Sequence, residues 1–243
     1  MCFNIAIPTT DVKKYQDRYK NISSVAKSTH KINNELTPHY FVSGFSHPSL
    51  VIVKEDGLHQ FEWGLIPFWV KDKNTANDIK TKTLNAVGET VFEKPSFRKS
   101  IVSKRCLLPV NAFFEWRDVN NMKYPYCIGS KENELFSLGC IYDTWKDDLT
   151  GEIVNTFSIL TTPANPLMEK IHNLKKRMPL ILKAEDEAKW IDTTLPKDEI
   201  QKLIKPFDEK LISAYTISRN ANSSKIDRNT PEILERVVYN ELD

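Results

Sequence analysis

From residue 105 to residue 160 the chain returns repeatedly to short apolar runs cut by polar turns. Residues 105–109 (RCLLP) and 112–116 (AFFEW) read as strands. Asn120 and Asn121 turn the chain into a run at 124–129, another follows at 135–142, and Asp148 to Gly151 turn it into a last one at 154–160. Runs of this length, in a row with turn residues between them, predict a curled antiparallel sheet. Residues 3–7, 178–182 and 211–217 add strands, and 50–53 with 58–63 form a hairpin around the Asp56-Gly57 turn. Helical patterns are short: 11–19, capped by Asp11, then 95–103, 163–173, 185–191 and 197–204. The expected class is α+β: a single β-rich domain over 1–243 with a curled, barrel-like antiparallel core flanked by short helices.

Composition narrows the function. With 34 basic against 32 acidic side chains the net charge is +2, so bulk charge does not mark a nucleic-acid binder, and an anion site must come from local clustering. Hydrophobic residues at 40% and charged residues at 27% are ordinary for a soluble globular chain. No apolar run approaches the roughly 18 residues of a membrane helix, and the polar start does not fit a signal peptide. A cytoplasmic protein with no membrane partner is expected. There Cys2, Cys106, Cys127 and Cys140 read as free thiols. They form no CxxC pair and no His stands at a zinc-ligand spacing, so neither a metal nor a cofactor is expected.

Five stretches carry candidate chemistry. If Met1 is trimmed, Cys2 presents a thiol and an α-amine on adjacent carbons. Their reference pKa values, about 8.5 and about 7.7–8.0, leave both partly nucleophilic near neutrality. Such a pair condenses with an aldehyde and closes a five-membered thiazolidine; an internal cysteine does not, because its nitrogen is an amide. Taken alone, Cys2 reads more readily as a small buried residue of the first strand. In WGLIPFW (63–69), Trp63 reads as core and Trp69, beside a polar loop at 70–73, as a surface ring able to stack on a base. In LNAVGET (84–90), Asn85 and Glu89 either orient a hydroxyl or serve as turn and cap residues. Glu115 lies among aromatics in FFEW (113–116). It is either partly desolvated, with a raised pKa suited to acid–base work, or points to solvent with Phe114 and Trp116 inward. Finally, His172 ends a helix ahead of Lys175, Lys176 and Arg177, which either hold phosphates or complement the helix dipole.

Taken in order, these stretches resemble the signatures of the SOS response-associated peptidase family, the abasic-site-processing proteins that shield abasic sites in single-stranded DNA. Those signatures are an initial Met-Cys, WGLIPxW, NARxET, RCL-I-P followed by GFYEW, and TTxAN with a later His and RMP. Here they fall at residues 1–2, 63–69, 85–90, 105–116 and 161–179, about the first three quarters of the chain. The resemblance implies that Met1 is removed and that Cys2 joins the open-chain aldehyde of an abasic deoxyribose as a thiazolidine. It implies catalytic roles for Cys2, for Asn85 (hydrogen bonding to the opened sugar), for Glu115 (general acid and base) and for His172 (proton shuttle and slow reversal). It also implies stacking by Trp69 and phosphate pairing by Arg98 and Arg177. The implied partner is single-stranded DNA containing abasic sites, bound by a monomer that is nucleoid-associated when engaged. Thiol-driven removal of Met1 and a lyase-type activity are further expectations.

The chain also departs from the pattern. Phe3 and Asn4 stand where the family often has Gly and Arg, and Val87 stands at the Arg of NARxET. Two phosphate contacts are therefore absent, and Lys80, Lys82 and Lys104 are the expected substitutes. Three extra residues separate His172 from Arg177. Residues 192–243 match no motif and read as a closing strand followed by a helix or tail. Two other functions compete: an N-terminal-nucleophile cysteine peptidase or amidohydrolase that uses the Cys2 amine as base, and a noncovalent single-strand binding module built on Trp69 and the arginines.

Overall fold

The structure, a computed structural model, describes residues 2–22, 32 and 35–242. The strands are β1 (Asn4–Ile7), β2 (His39–Ser43), β3 (Ser49–Lys54), β4 (Gly57–Trp63), β5 (Asn85–Val87), β6 (Arg105–Val110), β7 (Ala112–Val119), β8 (Met122–Ser130), β9 (Phe136–Lys146), β10 (Ile153–Pro163), β11 (Arg177–Pro179), β12 (Ile181–Leu182) and β13 (Ile212–Thr216). The helices are α1 (Val12–Arg18), α2 (Lys73–Lys82), α3 (Ser100–Ser103), α4 (Pro166–Ile171), α5 (Ala184–Ile191) and α6 (Lys197–Leu203). No helix among the described residues is long and apolar enough to cross a membrane.

Turn chemistry sets the hairpins. Asn120 and Asn121 both take positive φ, 52° and 62°, as a two-residue hairpin turn requires, and they join β7 to β8. Between β9 and β10 the Asp147 carboxylate accepts from the Leu149 and Thr150 amides, and Gly151 turns at φ 75°. The class is the expected α+β, but the antiparallel row divides into two sheets. Strands β4, β3, β6, β9 and β10 pair successively, and β10 returns to β4, which closes a five-strand ring. That last pairing is parallel, Phe157 opposite Trp63, and β5 joins β10 in parallel as well. The second sheet, ordered β13-β8-β7-β1-β2, is antiparallel throughout. The chain changes sheets at Asn111, whose amide donates to the Ala6 carbonyl between β6 and β7. Local turn signals specify neither this switch nor a parallel closure, because both depend on contacts distant in sequence.

The main core draws on both ring and sheet and takes in Cys2, Ile5, Trp63, Cys106, Phe113, Cys140 and Phe157. A second apolar cluster covers the outer face of the sheet, where Phe41 and Phe114 meet Ile217, Ala221 and Ile233. Residues 192–243 thus supply an edge strand, β13 beside β8, and a covering segment. The closing strand is as expected; the tail after it holds only short 3₁₀ turns.

Several elements differ from the sequence reading. Helix α2 was not expected: the polar loop read at 70–73 leads directly into it. Asp72 caps it by accepting from the Thr75 amide at 2.9 Å, but Ala76 is its only buried residue, so it has no apolar stripe to show in the sequence. Strand β2 was not expected. The helix at 95–103 shrinks to the single turn of α3.

Candidate active site

Strand β1 carries the site's first residue to the seam between ring and sheet. Ile5 pairs with Phe113, so β1 runs antiparallel beside β7 and brings the residues ahead of it toward Glu115. Cys2 is fully buried, and its thiol reaches the Asn4 carbonyl at 3.9 Å. Burial pushes that thiol well above its ordinary pKa, and the Glu115 carboxyl adds to the shift. Met1 lies outside the described residues, so its motif is described from Cys2 onward.

Asn85 opens β5 opposite Ile159 of β10. Its amide Nδ2 donates to the Cys2 carbonyl at 2.8 Å, while its Oδ1 has no hydrogen-bond partner among the described residues. Buried polar atoms rarely stay unpaired, so this oxygen marks where an external donor fits.

Glu115 shares the face of Phe113 and is 4% exposed. The sequence left its direction open because Phe114 and Trp116 also seek cover. The structure resolves this by burying both faces of β7: Phe113 joins the main core, and Phe114 packs under the C-terminal segment. Desolvation raises the Glu115 carboxyl to about 8, so it is an acid at neutral pH.

His172 caps the C-terminal end of α4, whose own start is fixed by Asn165 accepting from the Met168 amide, with Pro166 in the first turn. The ring Nδ1 donates to the Arg177 carbonyl at 2.8 Å, since a carbonyl only accepts; the neutral ring therefore keeps its lone pair on Nε2. That nitrogen lies 3.6 Å from Glu115 Oε2. Burial lowers the His172 pKa to about 4. The pair is thus a carboxylic acid facing a neutral imidazole, an arrangement that can give and take one proton without holding net charge. Both side chains line a cavity of about 500 Å³, together with Phe3, Asn4, Trp116 and Arg228.

The expected DNA-contact residues fall elsewhere. Gly64 takes φ 118°, and a Cβ there would lie 2.6 Å from the Lys80 carbonyl, so the turn leading to Phe68 and Trp69 requires glycine. Phe68 and Trp69 are exposed, and Lys99, next to exposed Arg98, lies over the Phe68 ring at 4.7 Å. This is an aromatic and basic surface outside the cavity lining. Arg177 does not present a free guanidinium. It forks onto the Glu89 carboxylate and donates to the Thr161 carbonyl at 2.8 Å. Lys82 pairs with Asp78 at 2.6 Å, while Lys80 and Lys104 pair with Glu62 and Asp143. The three extra residues after His172 form a turn: Lys176 sits at φ 50°, and Asn173 exchanges two hydrogen bonds with the Asp118 backbone. Sequence reading assigned no role to the cavity wall formed by Lys123, Asn222 and Arg228, two of which lie beyond its last motif.

Comparison with known proteins gives a consistent picture. The family model described as SOS response associated peptidase (SRAP) matches residues 1–224. Abasic site processing protein YoqW of Bacillus subtilis is 39% identical over 210 residues, 81% of this chain and 89% of its own. Abasic site processing protein HMCES of Gallus gallus is 30% identical over 198 residues, 73% of this chain and 56% of its own. A crystal structure of a protein from Bacteroides thetaiotaomicron superposes with a TM-score of 0.87 at 40% identity, covering 98% of this chain and 100% of that one.

Proposed function

The chain belongs to the SOS response associated peptidase (SRAP) family, and from that premise we propose that it processes abasic sites in DNA, capturing them in single strands as a thiazolidine on Cys2 once residue 1 is gone. The observation that carries this reading is the convergence of a buried acid, a neutral imidazole and an amide donor on the second residue of the chain. Asn85 holds the Cys2 backbone, and Glu115 and His172 face each other beside it.

The steps follow from the protonation states. The freed α-amine of Cys2 adds to the aldehyde carbon of the opened sugar and gives a carbinolamine. The Glu115 acid protonates the hydroxyl, water departs, and an iminium remains with Glu115 now a carboxylate. That carboxylate takes the proton of the Cys2 thiol, whose raised pKa makes such a base necessary. The thiolate adds to the iminium carbon and closes the ring. One water has been released, and Glu115 is an acid again. His172 Nε2 shares the Glu115 proton during the exchange, and the open Asn85 Oδ1 accepts from a sugar hydroxyl.

The test is a denaturing gel with matched abasic and intact single strands. Wild-type protein with verified loss of Met1 is expected to shift the abasic strand alone. Cys2→Ala is expected to shift neither. Cys2→Ser keeps the amine and is expected to give a species that survives only after borohydride reduction. A Cys2→Ala protein that still forms the stable adduct overturns the assignment. Equal noncovalent binding of both strands, with no adduct, identifies a binding module instead.

A further inference from the structure

Capture of an abasic sugar requires a grip on the charged strand at the cavity, and the positions at which family resemblance puts arginines do not provide it. Asn4 and Val87 are neutral, the Arg177 guanidinium forks onto Glu89 and donates to Thr161, and Arg98 is exposed outside the cavity lining. The lysines expected to substitute are each paired with a carboxylate. One arginine does line the cavity that Asn4 also lines: Arg228. It lies past residue 224, where the match to the family model ends.

Arg228 is held from behind. Its guanidinium lies over the Phe41 ring at 4.4 Å, and Nη1 donates to the Ala221 carbonyl at 3.3 Å. Phe41 in turn stacks on Phe114 at 4.8 Å, the residue before Glu115. The cation is therefore tied through two rings to the strand that carries the acid. Arg228 forms no ion pair among the described residues, so most of its donors remain for a ligand. Lys123 and Lys175 line the same cavity and are exposed; Asp118 is the one carboxylate there besides Glu115. With Glu115 protonated, three cations face one anion, a balance that favours a phosphodiester.

We propose that Arg228, brought in by the C-terminal segment, is the phosphate-binding arginine of this site and holds the phosphodiester flanking the captured sugar. The inference rests on the proposed abasic-site function. Its test measures noncovalent affinity in a Cys2→Ala background, using a single strand with a tetrahydrofuran abasic analogue, which has no aldehyde, across a series of salt concentrations. Arg228→Gln is expected to weaken binding about tenfold and to lower the slope of log affinity against log salt by about 0.7. Arg228→Lys keeps the charge and is expected to retain the slope. A neutral methylphosphonate at the flanking position provides a second check: it is expected to reproduce the slope loss in the parent protein, with no further loss on adding Arg228→Gln. Unchanged affinity and slope in a folded Arg228→Gln protein, with crosslinking intact in its Cys2 parent, overturn the inference alone. A Cys2 parent that captures no abasic strand overturns the function and the inference together.

Discussion

At the scale of single residues, the account rests on two groups whose pKa values burial moves toward their neutral forms: Glu115 up to about 8 and His172 down to about 4. Capture needs Glu115 protonated and the Cys2 amine free, whose reference pKa is about 7.7–8.0. The rate is therefore expected to be bell-shaped in pH, with both arms near pH 8. Glu115→Gln is expected to slow capture by about 10²-fold or more and to abolish the alkaline arm, read as single-turnover crosslinking from pH 6 to 10. An unchanged alkaline arm assigns that arm to another group. The same shift has a sign in stability. Between about 4.5 and 8 the unfolded chain releases the Glu115 proton and the folded chain keeps it, so this group makes folding less favourable as pH rises. The stability gained by Glu115→Gln over wild type is expected to grow across that window in urea titrations, and a constant difference contradicts the buried acid. Sequence alone brought out Glu115 as a candidate but not its burial, because the cover that buries Phe114 on the other face of β7, and so lets Glu115 turn to the side of Phe113, comes from residues a hundred positions further on.

At the scale of elements, the loop after α4 shows how an insertion is absorbed. The extra residues after His172 close into a turn through Lys176 at φ 50°, and Asn173 fastens that turn to β7 by accepting from the Asp118 amide at 3.0 Å and donating to its carbonyl at 2.7 Å. His172 is thereby held against Glu115 from two sides, by Asn173 and by the Arg177 carbonyl. Asn173→Ala is expected to slow capture several-fold while leaving salt-dependent DNA affinity unchanged; a change confined to affinity contradicts a positioning role. The hairpins were readable because their turn residues carry the geometry: Asn120-Asn121, Asp56-Gly57 and Asp148 to Gly151 all fall where the sequence places them. Helix α2 was not, since a helix that buries one alanine leaves no period to detect. Strand β5 was not either, because its parallel pairing with β10 has no local signature, although its Asn85 was singled out by motif.

At the scale of the molecule, the ring and the sheet divide the work. The ring delivers Asn85 through β5, the sheet delivers Glu115 through β7 and Cys2 through β1, and α4 delivers His172 across the seam. The C-terminal segment seals the outside of the sheet and brings Asn222 and Arg228 to the cavity wall, a contribution invisible in a stretch without motifs. What joins these parts is one claim, that the second residue forms a covalent bond to an abasic sugar by losing water. The intact mass of the protein before and after incubation with an abasic single strand tests it directly. The account predicts a starting mass lacking Met1 and a product equal to that mass plus the oligonucleotide less one water, absent in Cys2→Ala. An unchanged mass from protein with a free Cys2, or a product that forms equally in Cys2→Ala, would contradict it.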